Sequence, residues 1–143
     1  MCDEFLYSWI GWEYKPLFNK TGSGYYSVMH PDGTINKEVL STLSRTYAQA
    51  VAGRTQRMRF DNKTADFELE FLSNAVTNSD KTVVYLNKEL HYDAGVEVSV
   101  SDSRIQYAFQ QDQPNYLELS AKENIEAGTT ITLLIKRKGA VTQ

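Results

Sequence analysis

From Arg54 to the end of the chain, apolar and polar residues alternate with a period of two. Met58 and Phe60 alternate with Arg57 and Arg59, and Phe67, Leu69 and Phe71 with Asp66, Glu68 and Glu70. Val83 and Tyr85 come next in the same pattern. Val96, Val98 and Val100 alternate with Glu97, Ser99 and Ser101, and Ile105, Tyr107 and Phe109 with Gln106 and Gln110. Leu117 and Leu119 alternate with Glu118 and Ser120, and Ile131, Leu133 and Ile135 with Thr132 and Lys136. Successive side chains of a strand point to opposite faces, so each run reads as a strand with one face buried. Polar turns separate the runs, among them Asp61-Asn62-Lys63, Asn78-Ser79-Asp80, Asp93-Ala94-Gly95 and Gln113-Pro114-Asn115. This pattern of seven short strands predicts a mainly β fold, an antiparallel immunoglobulin-like β-sandwich over residues 54–143. A slip of one residue would expose an entire apolar set, so the alternation also fixes the faces.

Residues 1–53 have a different texture. Tyr7, Trp9, Ile10, Trp12 and Tyr14 predict one strand over residues 6–14, ended by Pro16, which cannot donate to a sheet ladder. His30-Pro31-Asp32-Gly33 is a turn signal. Asn36 is a candidate N-cap, with Glu38 in the first turn, and Val39, Leu40, Leu43, Tyr47, Ala50 and Val51 recur at helical spacing. Gly53 closes the predicted helix, which spans about 16 residues or about 24 Å. A lone strand and helix have no sheet to join, so residues 1–53 read as the end of another domain.

Composition narrows the function. A chain of 143 residues holds one domain or little more. Its net charge of −3 opposes nucleic-acid binding. Cys2 is the single cysteine, which excludes an internal disulfide framework, and two histidines are too few for a multi-histidine metal cluster. We therefore expect neither metal nor cofactor. Met1-Cys2-Asp3-Glu4 supplies neither the basic start nor the apolar core of a secretory leader.

Two strings carry a resemblance. The first is Ser8-Trp9-Ile10-Gly11-Trp12-Glu13-Tyr14-Lys15; the second is Leu43-Ser44-Arg45-Thr46-Tyr47-Ala48-Gln49-Ala50-Val51-Ala52-Gly53, leading at once into strands. Together they resemble the C-terminal end of glycoside hydrolase family 5 enzymes of the endoglycoceramidase type. In that family the first string is similar to the last strand of a (β/α)8 barrel and the second to the helix after it. The strand-rich segment from Arg54 onward is similar to the family's C-terminal β-sandwich. The resemblance implies two regions: residues 1–53 as a remnant of the catalytic barrel and 54–143 as the sandwich domain.

The activity so implied is hydrolysis of the bond between an oligosaccharide and ceramide in a glycosphingolipid, or of a simpler glycosyl-lipid. The mechanism would be retaining, with two glutamates roughly 5–5.5 Å apart. In the family these end the fourth and seventh barrel strands. A barrel needs about 200 residues or more. The acid/base and nucleophile glutamates are therefore expected to lie outside this chain, leaving it inactive alone. Trp12 matches the family's aromatic near the end of the last strand, and two roles fit it: a platform under the sugar, since an indole face packs on a pyranose, or filling of the barrel interior. Glu13 is on the wrong strand for either catalytic role.

Other residues weigh less. Glu68 and Glu70, at i and i+2, share the exposed face of one strand. His30 has no nucleophile signature around it, and His91 reads as a strand-end surface residue. Arg54, Arg57, Arg59 and Lys63 form a basic patch that would either pair with nearby carboxylates or face an anionic membrane surface. Asn19-Lys20-Thr21 and Asn62-Lys63-Thr64 are glycosylation sequons in predicted loops, pointing to a secreted or lysosomal parent protein. A competing reading is a stand-alone carbohydrate- or lipid-binding module using Tyr92, Tyr107 and Tyr116, or an interaction domain of immunoglobulin type.

Overall fold

The computed structural model describes residues 5–7, 10, 11, 14 and 27–139. The strand expected over residues 6–14 falls largely outside them. The described elements are α1 (Lys37–Leu43), β1 (Tyr47–Ala50), β2 (Gly53–Phe60), β3 (Phe67–Ser73), β4 (Lys81–Tyr85), α2 (Lys88–His91), β5 (Val96–Val100), β6 (Ile105–Phe109), β7 (Tyr116–Ala121) and β8 (Thr130–Arg137). They build two four-stranded antiparallel sheets, β1-β4-β7-β6 and β2-β3-β8-β5.

The sandwich follows from the alternation. Phe67, Leu69 and Phe71 on β3 and Ile131, Leu133 and Ile135 on β8 are buried from one sheet, and Val84, Leu117 and Leu119 from the other. Each such side chain contributes roughly 1.5–3 kcal/mol by leaving water. A bulge between Thr55 and Arg57 resets β2, so that Met58 and Phe60 turn inward and Arg57 and Arg59 outward. β4 departs from expectation. Thr82 and Val84 are its buried residues, while Val83 and Tyr85 lie on the other face, half-buried.

The helix expected up to Gly53 is divided. Asn36 does cap it, its side chain accepting from the Val39 amide at 3.2 Å, but α1 ends at Leu43 and Ser44 is extended. Tyr47 and Ala48 pair with Tyr85 and Val84 of β4, so the sandwich takes in residues ahead of Arg54. Ladder hydrogen bonds and the full burial of Thr46 outweigh a weak helical propensity. Gly53 opens β2 and has a different purpose from a helix cap. A Cβ there would meet the Leu72 carbonyl oxygen at 2.1 Å, so only glycine allows the two strands to approach. No helix among the described residues is long and apolar enough to cross a membrane.

Candidate functional site

Of the residues singled out in the sequence, Trp12, Glu13, Lys15 and Asn19 lie outside the described residues. Asn62 lies inside them and is exposed. Its turn is built by Asp61, whose carboxylate accepts from the Lys63 amide at 2.8 Å and the Thr64 amide at 3.2 Å. Those amides hold the Asp61 carboxyl below its ordinary value, Lys63 contributing most.

That turn borders an open cleft of about 370 Å³ on the outer face of β3 and β8, lined by Arg59, Asp61, Asp66, Glu68, Leu134 and Lys136 among others. Its charges compensate one another. Strand register places Arg59 opposite Glu68 and Arg57 opposite Glu70, and the Arg57 guanidinium lies 3.7 Å from the Glu68 carboxylate. Glu68 and Glu70 thus sit on the outer sheet face, beside arginines. Among the described residues no cluster of three or more His, Cys, Asp or Glu is suited to a metal ion.

The most organised polar cluster joins α1 to the sandwich. Three residues, Ser44, Arg45 and Thr46, make the whole connection. The Ser44 hydroxyl accepts from the Asn87 amide at 2.9 Å, and the Ser44 carbonyl accepts from His91 Nε2. The sequence pattern puts His91 at the surface; in the structure it is 3 % exposed, its ring edge-on to Phe60 with centroids 5.1 Å apart. Its backbone carbonyl accepts from Arg137 Nε at 2.7 Å. Thr46 Oγ1 lies 2.8 Å from Tyr92 Oη, which donates to the Ala65 carbonyl at 2.9 Å. Burial pushes the Tyr92 phenol up to about 12. Asn87 also caps α2 through the Leu90 amide, and at the start of that helix Lys88 Nζ stands 3.3 Å above the Phe109 ring. Desolvation lowers the Lys88 ammonium from its usual range.

Beside this joint runs a row of tyrosines on the outer face of the first sheet. Tyr47 pairs with Tyr85, and Tyr85 with Tyr116. Ring centroids are 5.4 Å apart in both pairs, with interplanar angles of 38° and 64°. The Tyr85 phenol is raised, chiefly by desolvation and then by its two tyrosine neighbours. Tyr47 is 40 % exposed. Alternation alone makes Val83 and Tyr85 an inward pair, and this hides the row from sequence reasoning. The three tyrosines named for sugar binding do not converge: Tyr92 is buried, Tyr116 packs edge-on against Tyr85, and Tyr107 is on the edge strand β6.

Comparison with known proteins gives a consistent picture. Residues 45–135 match the glycoside hydrolase family 5 C-terminal domain. An endoglycoceramidase of Cyanea nozakii is 33% identical over 147 aligned positions, covering 96% of this chain and 28% of that protein. An endoglycoceramidase of Hydra vulgaris is 40% identical over 102 positions, covering 71% of this chain and 19% of that protein. The chain thus spans less than a third of the length of these relatives. In shape it is similar to sterylglucosidase 1 of Cryptococcus neoformans, with a TM-score of 0.59 at 21% identity over 75% of this chain and 15% of that one.

Proposed function

This chain belongs to the glycoside hydrolase family 5 C-terminal domain family, as part of an endoglycoceramidase-like protein, and from that premise we propose that the whole protein is a retaining glycosidase acting on glycosphingolipids. The observation that carries the reading is the alignment of 96% of this chain with 28% of the Cyanea nozakii endoglycoceramidase. The remaining length of such a protein has room for a barrel and its two glutamates; this chain has not. One glutamic acid would protonate the glycosidic oxygen leaving with ceramide while the other attacks the anomeric carbon, before water releases the sugar. Residues 1–44, ahead of the segment that matches the C-terminal domain, are read as the end of that barrel. Trp12 is read as the aromatic surface under the sugar at the cleaved bond.

The partner is accordingly a glycosphingolipid or simpler glycosyl-lipid, met through the barrel. An anionic membrane surface draws little support from β2, where Arg57 and Arg59 face Glu70 and Glu68 across the ladder and only Arg54 faces an apolar residue, Leu72. A secreted or lysosomal location is part of the same reading, supported by the exposed turn at Asn62. The stand-alone binding module has less support, since its tyrosines do not form one surface.

The test is hydrolysis of a ceramide-linked oligosaccharide by the full-length protein and by the 143-residue chain. Release of free oligosaccharide by the first and none by the second is expected. Hydrolysis by the short chain, or by neither, overturns the proposal.

A further inference from the structure

We propose that the cleft on the outer face of β3 and β8 is the seat of a glycan carried by Asn62, an inference that rests on the secretory part of the reading above. The turn between β2 and β3 is closed from within. The Asp61 amide donates to the Asp66 carbonyl at 2.9 Å, and the Ala65 amide to the Asp61 carbonyl at 2.8 Å. The Asp61 carboxylate gathers the Lys63 and Thr64 amides, and the Asp66 amide donates to the Thr64 hydroxyl at 3.2 Å. Asn62 stands exposed in this turn as the first residue of the sequon Asn62-Lys63-Thr64. Asp61 before it and Thr64 after it both form part of the cleft wall. A sugar rooted at Asn62 therefore starts beside the cleft, on a turn held in one shape.

The chemistry of the cleft suits that occupant. Phe67 and Ile135 are buried, so Leu134, 38 % exposed, is the apolar side chain on the outer surface of the cleft. Strand register flanks it with Glu68 on one side and Ser99 on the other. Arg59 and Lys136 offset two of the three carboxylates, Asp61, Asp66 and Glu68. An anion would meet those carboxylates, whereas a neutral sugar can lay the C–H face of its ring on Leu134 and turn its hydroxyl and acetamido groups to the charged side chains. The covalent root also favours the chain's own glycan over a free one, because a tethered group binds at a high effective concentration.

The test uses the full-length protein secreted from eukaryotic cells. Release of the Asn62 glycan by a peptide N-glycosidase is followed on the folded protein by mass spectrometry of the peptide that contains Asn62. A seated glycan is cleaved only from its unseated fraction, so Leu134→Ser is expected to speed release by about fivefold or more, the size of a coupling between touching groups. Leu134→Met keeps an apolar support and is expected to leave the rate unchanged. After denaturation all three proteins are expected to release the glycan equally. Because Leu134 is partly exposed, both variants are expected to fold, and matching far-ultraviolet circular dichroism checks this. A glycosylated Asn62 with equal native release rates in the parent and Leu134→Ser overturns the seat and leaves the secretory reading standing. An Asn62 without glycan overturns both. Equal acceleration by Leu134→Ser and Leu134→Met overturns the seat in favour of a general loosening of the sheet.

Discussion

The Thr46 hydroxyl lies 2.8 Å from the Tyr92 phenol oxygen, and this pair anchors the last residue of the α1 connection to the middle of the chain. Tyr92 is 2 % exposed and passes the bond on to the Ala65 carbonyl, in a turn where Ala65 itself has a positive φ of 62°. Tyr92→Phe leaves the Ala65 carbonyl and the Thr46 hydroxyl without this partner in the interior. We expect a loss of about 1–3 kcal/mol in urea unfolding, and a loss below about 0.5 kcal/mol would contradict the importance of the pair.

The same phenol gives a pH signature. Its folded value is raised from 10.0 to about 12, so the folded state keeps its proton where the unfolded state has lost it. The stabilisation is complete below pH 10 and fades as pH rises from 10 to about 12. The stability of Tyr92→Phe is expected to fall less steeply across that window than that of the parent chain. Parallel slopes would show that another group governs alkaline unfolding.

Gly53→Ala is expected to be disruptive although alanine is small. The added Cβ would sit 2.1 Å from the Leu72 carbonyl oxygen, so β2 and β3 must separate. Overpacking of this kind costs about 1–3 kcal/mol, measured as a lowered denaturant midpoint. Gly33→Ala provides a contrast, since nothing lies within 4 Å of its added Cβ and only its φ of +86° opposes the change.

Truncation locates the true start of the sandwich. A chain beginning at Arg45 retains β1; one beginning at Arg54 loses it and bares the edge of β4. The longer form is expected to unfold cooperatively, and the shorter to lose about 2–3 kcal/mol, at about 1 kcal/mol per ladder hydrogen bond. Equal midpoints would show that β1 adds nothing.

Asn62→Gln tests the sequon. Expressed through a eukaryotic secretory route, the parent chain is expected to lose glycan mass at Asn62 on endoglycosidase treatment, and the variant to lack that mass. An unmodified Asn62 peptide would remove this support for a secretory location.

Much of the sandwich was legible in the sequence because its alternation is strict: Phe67, Leu69 and Phe71 are buried, with half-buried residues between them. Legibility failed where a local irregularity or a long-range contact decided. A bulge at Gln49 breaks the period of β1, so Tyr47 and Ala50 passed for helix. α2 has four residues, too few for a period, and His91 is buried through partners on α1's connection and β2 that lie far away in sequence. The tyrosine row is likewise a product of register, since Tyr47, Tyr85 and Tyr116 are neighbours only through the pairing of three strands. For the site, sequence reasoning offered only a resemblance at Trp12, which lies outside the described residues.

The decisive measurement is the sequence of the transcript upstream of Met1. A reading frame that continues through a (β/α)8 barrel, with glutamates ending its fourth and seventh strands, is the expected result. An in-frame stop codon shortly before Met1 would contradict the assignment to a glycosidase and leave a short β-sandwich protein without catalytic carboxylates.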